Sequence, residues 1–157
     1  MDTIFKTLFV GAILAIGTLA AAPAAEPAIG TWKLNLAKST FSPGPAPKSQ
    51  TRTYTESAEG IKMTVKTTAA DGKETTSTLI VKDDGKPYPV SGNPDFDTVS
   101  VNRVDALMVH ITQMKAGAII SSGVRTVSKD GKTLTLALKG THVTGAKYDD
   151  VAVYDRQ

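Results

Sequence analysis

Thr133-Leu134-Thr135-Leu136-Ala137-Leu138-Lys139 places a leucine at every second position and small or polar residues between them. A period of two puts the three leucines on one face of an extended strand and leaves the other face to solvent. The same alternation runs through Ile61-Lys62-Met63-Thr64-Val65-Lys66 and through Trp32-Lys33-Leu34-Asn35-Leu36. After residue 26 no stretch sustains a helical period. Eighteen threonines lie in that part of the chain, a β-branched residue suited to a pleated surface.

Turn chemistry divides the alternating runs. Asp71-Gly72, Asp84-Gly85 and Asp130-Gly131 each stand between two of them and predict hairpins, with Glu59-Gly60 and Ala116-Gly117 in a similar role. Ten strands are expected, near 30–36, 50–57, 61–68, 74–82, 86–90, 97–104, 107–115, 118–128, 132–139 and 147–154. No connection is long enough for a parallel crossover, so the strands form a sequential antiparallel meander. Closing it into an up-and-down barrel of about 8–10 strands removes both edges, whereas a sandwich leaves two to be guarded. The barrel is the favoured reading. From Ser39 to Lys48 the prolines Pro43, Pro45 and Pro47 deny the backbone a ladder and predict an extended strap.

The first 24 residues read differently. A charged start with Lys6, an apolar run from Leu8 to Ala22 and small residues around Ala22-Pro23-Ala24 have the layout of a secretory signal peptide, cleaved after Ala24. The run is broken by Gly11, Gly17 and Thr18 and is shorter than the roughly 20 residues a spanning helix needs. The expectation is a periplasmic or secreted protein, with residues 25–157 as one soluble β-domain and no stable membrane anchor. The chain has no cysteine, so it forms no disulfide and offers no thiol to lipid. A net charge of +3 is interleaved with acids, and aromatic residues make up 6 % of the chain without the spacing of base-stacking platforms. Nucleic acid is therefore not an expected partner.

Gly30-Thr31-Trp32-Lys33-Leu34 resembles the Gly-x-Trp signature of lipocalins and fatty-acid-binding proteins. The stretch from Val124-Arg125 through Lys129-Asp130-Gly131-Lys132 to Val151-Ala152-Val153-Tyr154 resembles the last three strands of the fatty-acid-binding proteins. Gly-Thr-Trp-Lys-Leu-Asn, Ser-Gly-Asn-Pro-Asp and Ser-Lys-Asp-Gly-Lys-Thr-Leu together look like exported bacterial proteins with a lipocalin-like domain, a group with no defined function. The resemblance implies a calycin-type barrel with a tryptophan across its floor. It also implies that Arg125 and Tyr154 hold a ligand carboxylate. The second arginine of that clamp is replaced by Ala152, and the helix-turn-helix lid has no counterpart, which removes the specific expectation of a fatty acid.

Arg125 shares a strand face with Gly123 and Val127. If that face turns inward, the guanidinium needs a carboxylate such as Asp150, the Trp32 ring or an anionic ligand; if outward, it is solvated. Trp32 reads first as core. Ser91-Gly92-Asn93-Pro94-Asp95-Phe96-Asp97 reads as an Asx-type turn, lacking the bidentate acid of a calcium loop, with Phe96 at its tip either capping the barrel mouth or, the favoured reading, pinning the hairpin to the core. His110 and His142 have no metal-ligand spacing, and neither Asp83-Asp84 nor Asp149-Asp150 is an acid/base dyad, because strand neighbours point apart. No nucleophile elbow, phosphate loop or dinucleotide motif is present. The chain is thus expected to be no enzyme and to take no metal or other cofactor. It is expected to bind a small hydrophobic or amphipathic ligand with Trp32, Met63, Leu136, Tyr154 and Arg125. The alternative is a ligand-free envelope interaction or stress protein with a packed core.

Overall fold

A computed structural model describes residues 26–157; the signal-peptide reading of residues 1–24 lies outside them. Ten strands follow in order: β1 (Gly30–Leu34), β2 (Ser49–Ser57), β3 (Gly60–Thr68), β4 (Glu74–Val81), β5 (Asp84–Pro89), β6 (Thr98–Arg103), β7 (Met108–Lys115), β8 (Ala118–Val127), β9 (Thr133–Thr141) and β10 (Lys147–Arg156). A short 3-10 turn, Leu36–Lys38, follows β1 and is the only helical element among the described residues. The strands form one antiparallel sheet in the order β4-β3-β2-β1-β10-β9-β8-β7-β6-β5. The meander curls until its two ends meet. No helix of the described residues is long and apolar enough to cross a membrane.

The alternation in the sequence becomes the two sides of this wall. Leu134, Leu136 and Leu138 of β9 are all buried, and they lie opposite Tyr154, Ala152 and Asp150 of β10. Trp32, Tyr54, Val127, Leu134 and Tyr154 belong to one apolar cluster; Leu79, Val81, Val99, Val101 and Val109 form a second. Met63 and Ile111 pack against both. Fully burying each such aliphatic side chain contributes about 1.5–3 kcal/mol, so the inner face is what closes the sheet.

The closing seam corrects one expected turn. β4 and β5 are consecutive but do not pair along their lengths; one bridge spans the seam, in which Thr78 of β4 and Ser91, just past the end of β5, exchange backbone N–H···O bonds of 2.9 Å each. Asp84-Gly85 is not a hairpin turn but the irregular start of β5, where the register shifts against β6. The Asp84 carboxylate accepts the Lys86 N–H at 3.1 Å and Gly85 takes φ of 75°, a local Asx turn that bends the strand without reversing it. The barrel is thus nearly closed, with a narrow seam.

The strap from Ser39 to Lys48 crosses one end. Thr40 bridges Val151, and the Ser42 N–H donates to Asp150 at 3.1 Å, while Pro43, Pro45 and Pro47 stay outside any ladder. The other end is closed by the residues before β1. Trp32 is fully buried there, and its Nε1 donates to the Ala28 carbonyl at 2.7 Å. Gly30 sits at φ +131°, and a Cβ on it would lie 2.6 Å from Arg156 Nη1. The glycine of the Gly-x-Trp stretch is therefore required twice, by its backbone angle and by the guanidinium against it.

Candidate functional site: a cavity inside the barrel

The wall does not fill its interior. It encloses a cavity of about 260 Å³, far above the about 10–15 Å³ that one water needs. Side chains of both apolar clusters line it, among them Leu79, Val99, Val101, Val109, Leu136 and Leu138. At the strap end it adjoins an open groove under Pro43, Pro45 and Pro47, and the two spaces share Phe41, Gln50, Thr67, His142, Tyr148 and Asp150. That end is the mouth.

Of the residues expected at a site, Met63, Leu136, Tyr154 and Arg125 line the cavity. Trp32 does not. It packs into the floor with Arg156 over its ring, so its place is in the core that closes the barrel. Phe96, for which pinning its hairpin was favoured over capping the mouth, is part of the cavity lining, at the end of an Asx turn in which the Asn93 side chain accepts the N–H groups of Asp95 and Phe96 at 2.9 and 3.2 Å. His142 lies at the mouth against Tyr148, with ring centroids 4.6 Å apart, whereas His110 is exposed on β7. Asp149 pairs with Lys139 on the outside, and Asp150 faces the cavity. Among the described residues no three His, Asp or Glu side chains are grouped to hold a metal ion.

Arg125 points inward and is 6 % exposed. Its partner is neither Asp150 nor Trp32 but Glu26, whose carboxylate accepts from Nη2 at 2.8 Å; the guanidinium also lies 5.2 Å from the Tyr54 ring centre. Glu26 pairs in addition with Arg103, and Arg103 with Asp83. Two carboxylates and two guanidiniums thus balance one another at the floor. Asp150, the partner expected for Arg125, instead takes the Ser42 N–H at the opposite end, and burial holds its carboxyl above the ordinary aspartate range, against the opposing pull of that N–H and of His142.

A second arginine was not singled out by its sequence. Arg52 of β2 lines the cavity beside Tyr154, its carbon Cζ 5.2 Å from the Tyr154 ring centre. Its Nε–H is shared between Gln50 Oε1 at 3.1 Å and the Tyr154 hydroxyl at 3.0 Å. The Tyr154 hydroxyl donates to Gln50 Oε1, and Gln50 Nε2 donates to Thr67 Oγ1 at 2.8 Å. Each member fixes the next, so the guanidinium is held in one orientation. Burial pushes the Tyr154 hydroxyl above the usual phenol range although Arg52 pulls the other way, so it stays a neutral hydroxyl at physiological pH. The only signal in Gln50-Thr51-Arg52-Thr53-Tyr54 was that Gln50, Arg52 and Tyr54 share a face; with polar residues on both sides, that face had no obvious direction.

Comparison with known proteins adds little. No protein-family model matches the chain, and no curated protein matches it. Among solved structures it is similar to the zebrafish ileal bile acid-binding protein, crystallised with cholic acid: the TM-score is 0.49 at 11 % identity, covering 83 % of this chain and 99 % of that one.

Proposed function

We propose that this chain is an exported, non-catalytic carrier that holds one small hydrophobic or amphipathic molecule inside its barrel. The observation that carries the reading is the unfilled, mainly apolar interior of about 260 Å³, with a few polar side chains such as Arg52 and Gln50 in its lining and an opening at the strap end. An apolar enclosure with a few placed polar groups is the usual form of a small-molecule site. A protein acting only through its outer surface would gain stability by filling that space, because each buried methylene contributes about 0.8 kcal/mol. Export is supported by the layout of residues 1–24.

The test is a fluorescence titration with a neutral apolar probe such as phenylnaphthylamine, combined with native mass spectrometry of the saturated protein. The carrier reading requires saturation at one probe per chain. Emission that rises without saturating, or a mass spectrum of unliganded chain only, overturns it. Amino-terminal sequencing of protein recovered from its native cells tests export separately, with Ala25 as the expected first residue.

A further inference from the structure

Resting on the carrier reading, we propose that Arg52 anchors the head of the ligand, and that this head is a carboxylate or similar singly charged oxyanion on an apolar body. The two arginines that line the cavity differ in one respect. Arg125 already faces the Glu26 carboxylate, within a floor cluster whose charges cancel. Arg52 faces no carboxylate among the described residues: Asp83, Asp95 and Asp150 share the cavity lining but none forms an ion pair with it. Its hydrogen-bond partners are neutral. Nε is used by Gln50 and Tyr154, Nη1 has the Met63 sulfur at 3.9 Å, a weak acceptor, and the Tyr54 hydroxyl also adjoins the guanidinium.

A guanidinium does not give up its proton, so an enclosed one without a counter-charge is a costly element for a fold to keep. An incoming anion removes that cost. Because Nε is tied into the wall, the edge carrying Nη1 and Nη2 is the one left for a ligand. Two parallel N–H groups on that edge match the two oxygens of a carboxylate. From that head, an apolar body meets Met63, Leu79, Val99, Ile111 and Leu136. The anchor lies on β2, not at Arg125 of β8, where the sequence resemblance put it, and not at the Ala152 position. Tyr154 keeps a part, as the hydroxyl that holds Arg52 in place.

Calorimetric titration of the mature chain with decanoate, decanol and decyltrimethylammonium tests this with tails of one length. Decanoate is expected to bind about tenfold more tightly than decanol, as one charge-assisted bidentate contact allows, and the cation most weakly. Arg52→Gln is expected to abolish the preference, decanoate and decanol then binding within about twofold of each other, and an unchanged Trp32 emission reports that the variant is folded. The Arg52 side-chain Nε–H resonance of the wild-type protein is expected to shift with decanoate and not with decanol, a reading that needs no variant. Equal binding of decanoate and decanol, tighter binding of the cation, or an Arg52 resonance indifferent to decanoate overturns the assignment and leaves the carrier reading standing. Failure of all three probes to bind overturns the carrier reading itself.

Discussion

The Arg156 guanidinium lies over the Trp32 indole, 4.1 Å from its centre, while Nη1 and Nη2 donate to the Ile29 and Pro27 carbonyls at 2.7 Å each. The end of β10 thereby clamps the residues before β1, whose Ala28 carbonyl receives the indole N–H. The start of β1 and the end of β10 meet at the floor, and one tryptophan reports on the joint. Arg156→Ala is expected to destabilise by about 1–2 kcal/mol and to shift the Trp32 emission to longer wavelength. Denaturant unfolding followed by tryptophan fluorescence measures both; unchanged emission and midpoint would show that the clamp is ornamental.

Gly30 and Gly117 both take positive φ, at +131° and +80°, but a Cβ at Gly30 would meet Arg156 at 2.6 Å and one at Gly117 would meet nothing within 4 Å. Gly117→Ala therefore carries only the backbone penalty, about 1 kcal/mol, and Gly30→Ala that penalty plus displacement of the clamp, about 2–3 kcal/mol in all. Paired thermal melts of the two variants check the order. Equal losses would mean that the Arg156 contact contributes nothing at Gly30.

Glu26 shares its carboxylate between Arg125 and Arg103 at the closed end. Glu26→Gln leaves Arg125 buried without its counter-charge and is expected to cost about 3 kcal/mol. Removing the stranded charge as well, in Glu26→Gln with Arg125→Gln, is expected to recover part of that loss. A double-mutant cycle by urea unfolding gives the coupling; strictly additive losses would contradict the pairing.

Asp155 accepts from Asn35 Nδ2 at 2.6 Å and pairs with Lys38 at 3.1 Å, and these contacts, the Asn35 bond first, hold its carboxyl below the ordinary aspartate value of 3.8. A carboxyl depressed in the folded state stabilises fully above its unfolded value, and that contribution disappears as pH falls through the folded value. Asn35→Ala is expected to move the Asp155 titration upward, as followed by carboxyl NMR. A titration that does not move would remove Asn35 as the cause.

How much of this was readable in advance depended on whether a strand had one apolar face. In β9 the three leucines named the inner side outright, and Met63 and Leu136 came with it. Arg125 was ambiguous, because a glycine and a valine flank it on its own face; its counter-charge inside the barrel is Glu26, 99 residues away, where no periodicity points. Arg52 sits in a strand of polar residues and was invisible to a hydrophobic pattern, although it holds the least compensated charge in the cavity. Asp84-Gly85 has the chemistry of a hairpin turn, yet its Asx bond bends one strand instead, because the barrel opens its seam between β4 and β5.

The central claim is that the barrel encloses usable space, and methyl NMR of the mature chain during addition of decanol addresses it most directly. The account predicts saturable shifts, complete at one ligand per chain, at inward methyls of Val99, Val109, Leu136 and Leu138, with Ile119 and Val143, 70 % and 60 % exposed on the outside, unmoved. Shifts confined to Ile119 and Val143, or an interior indifferent to the ligand at every ratio, would contradict it.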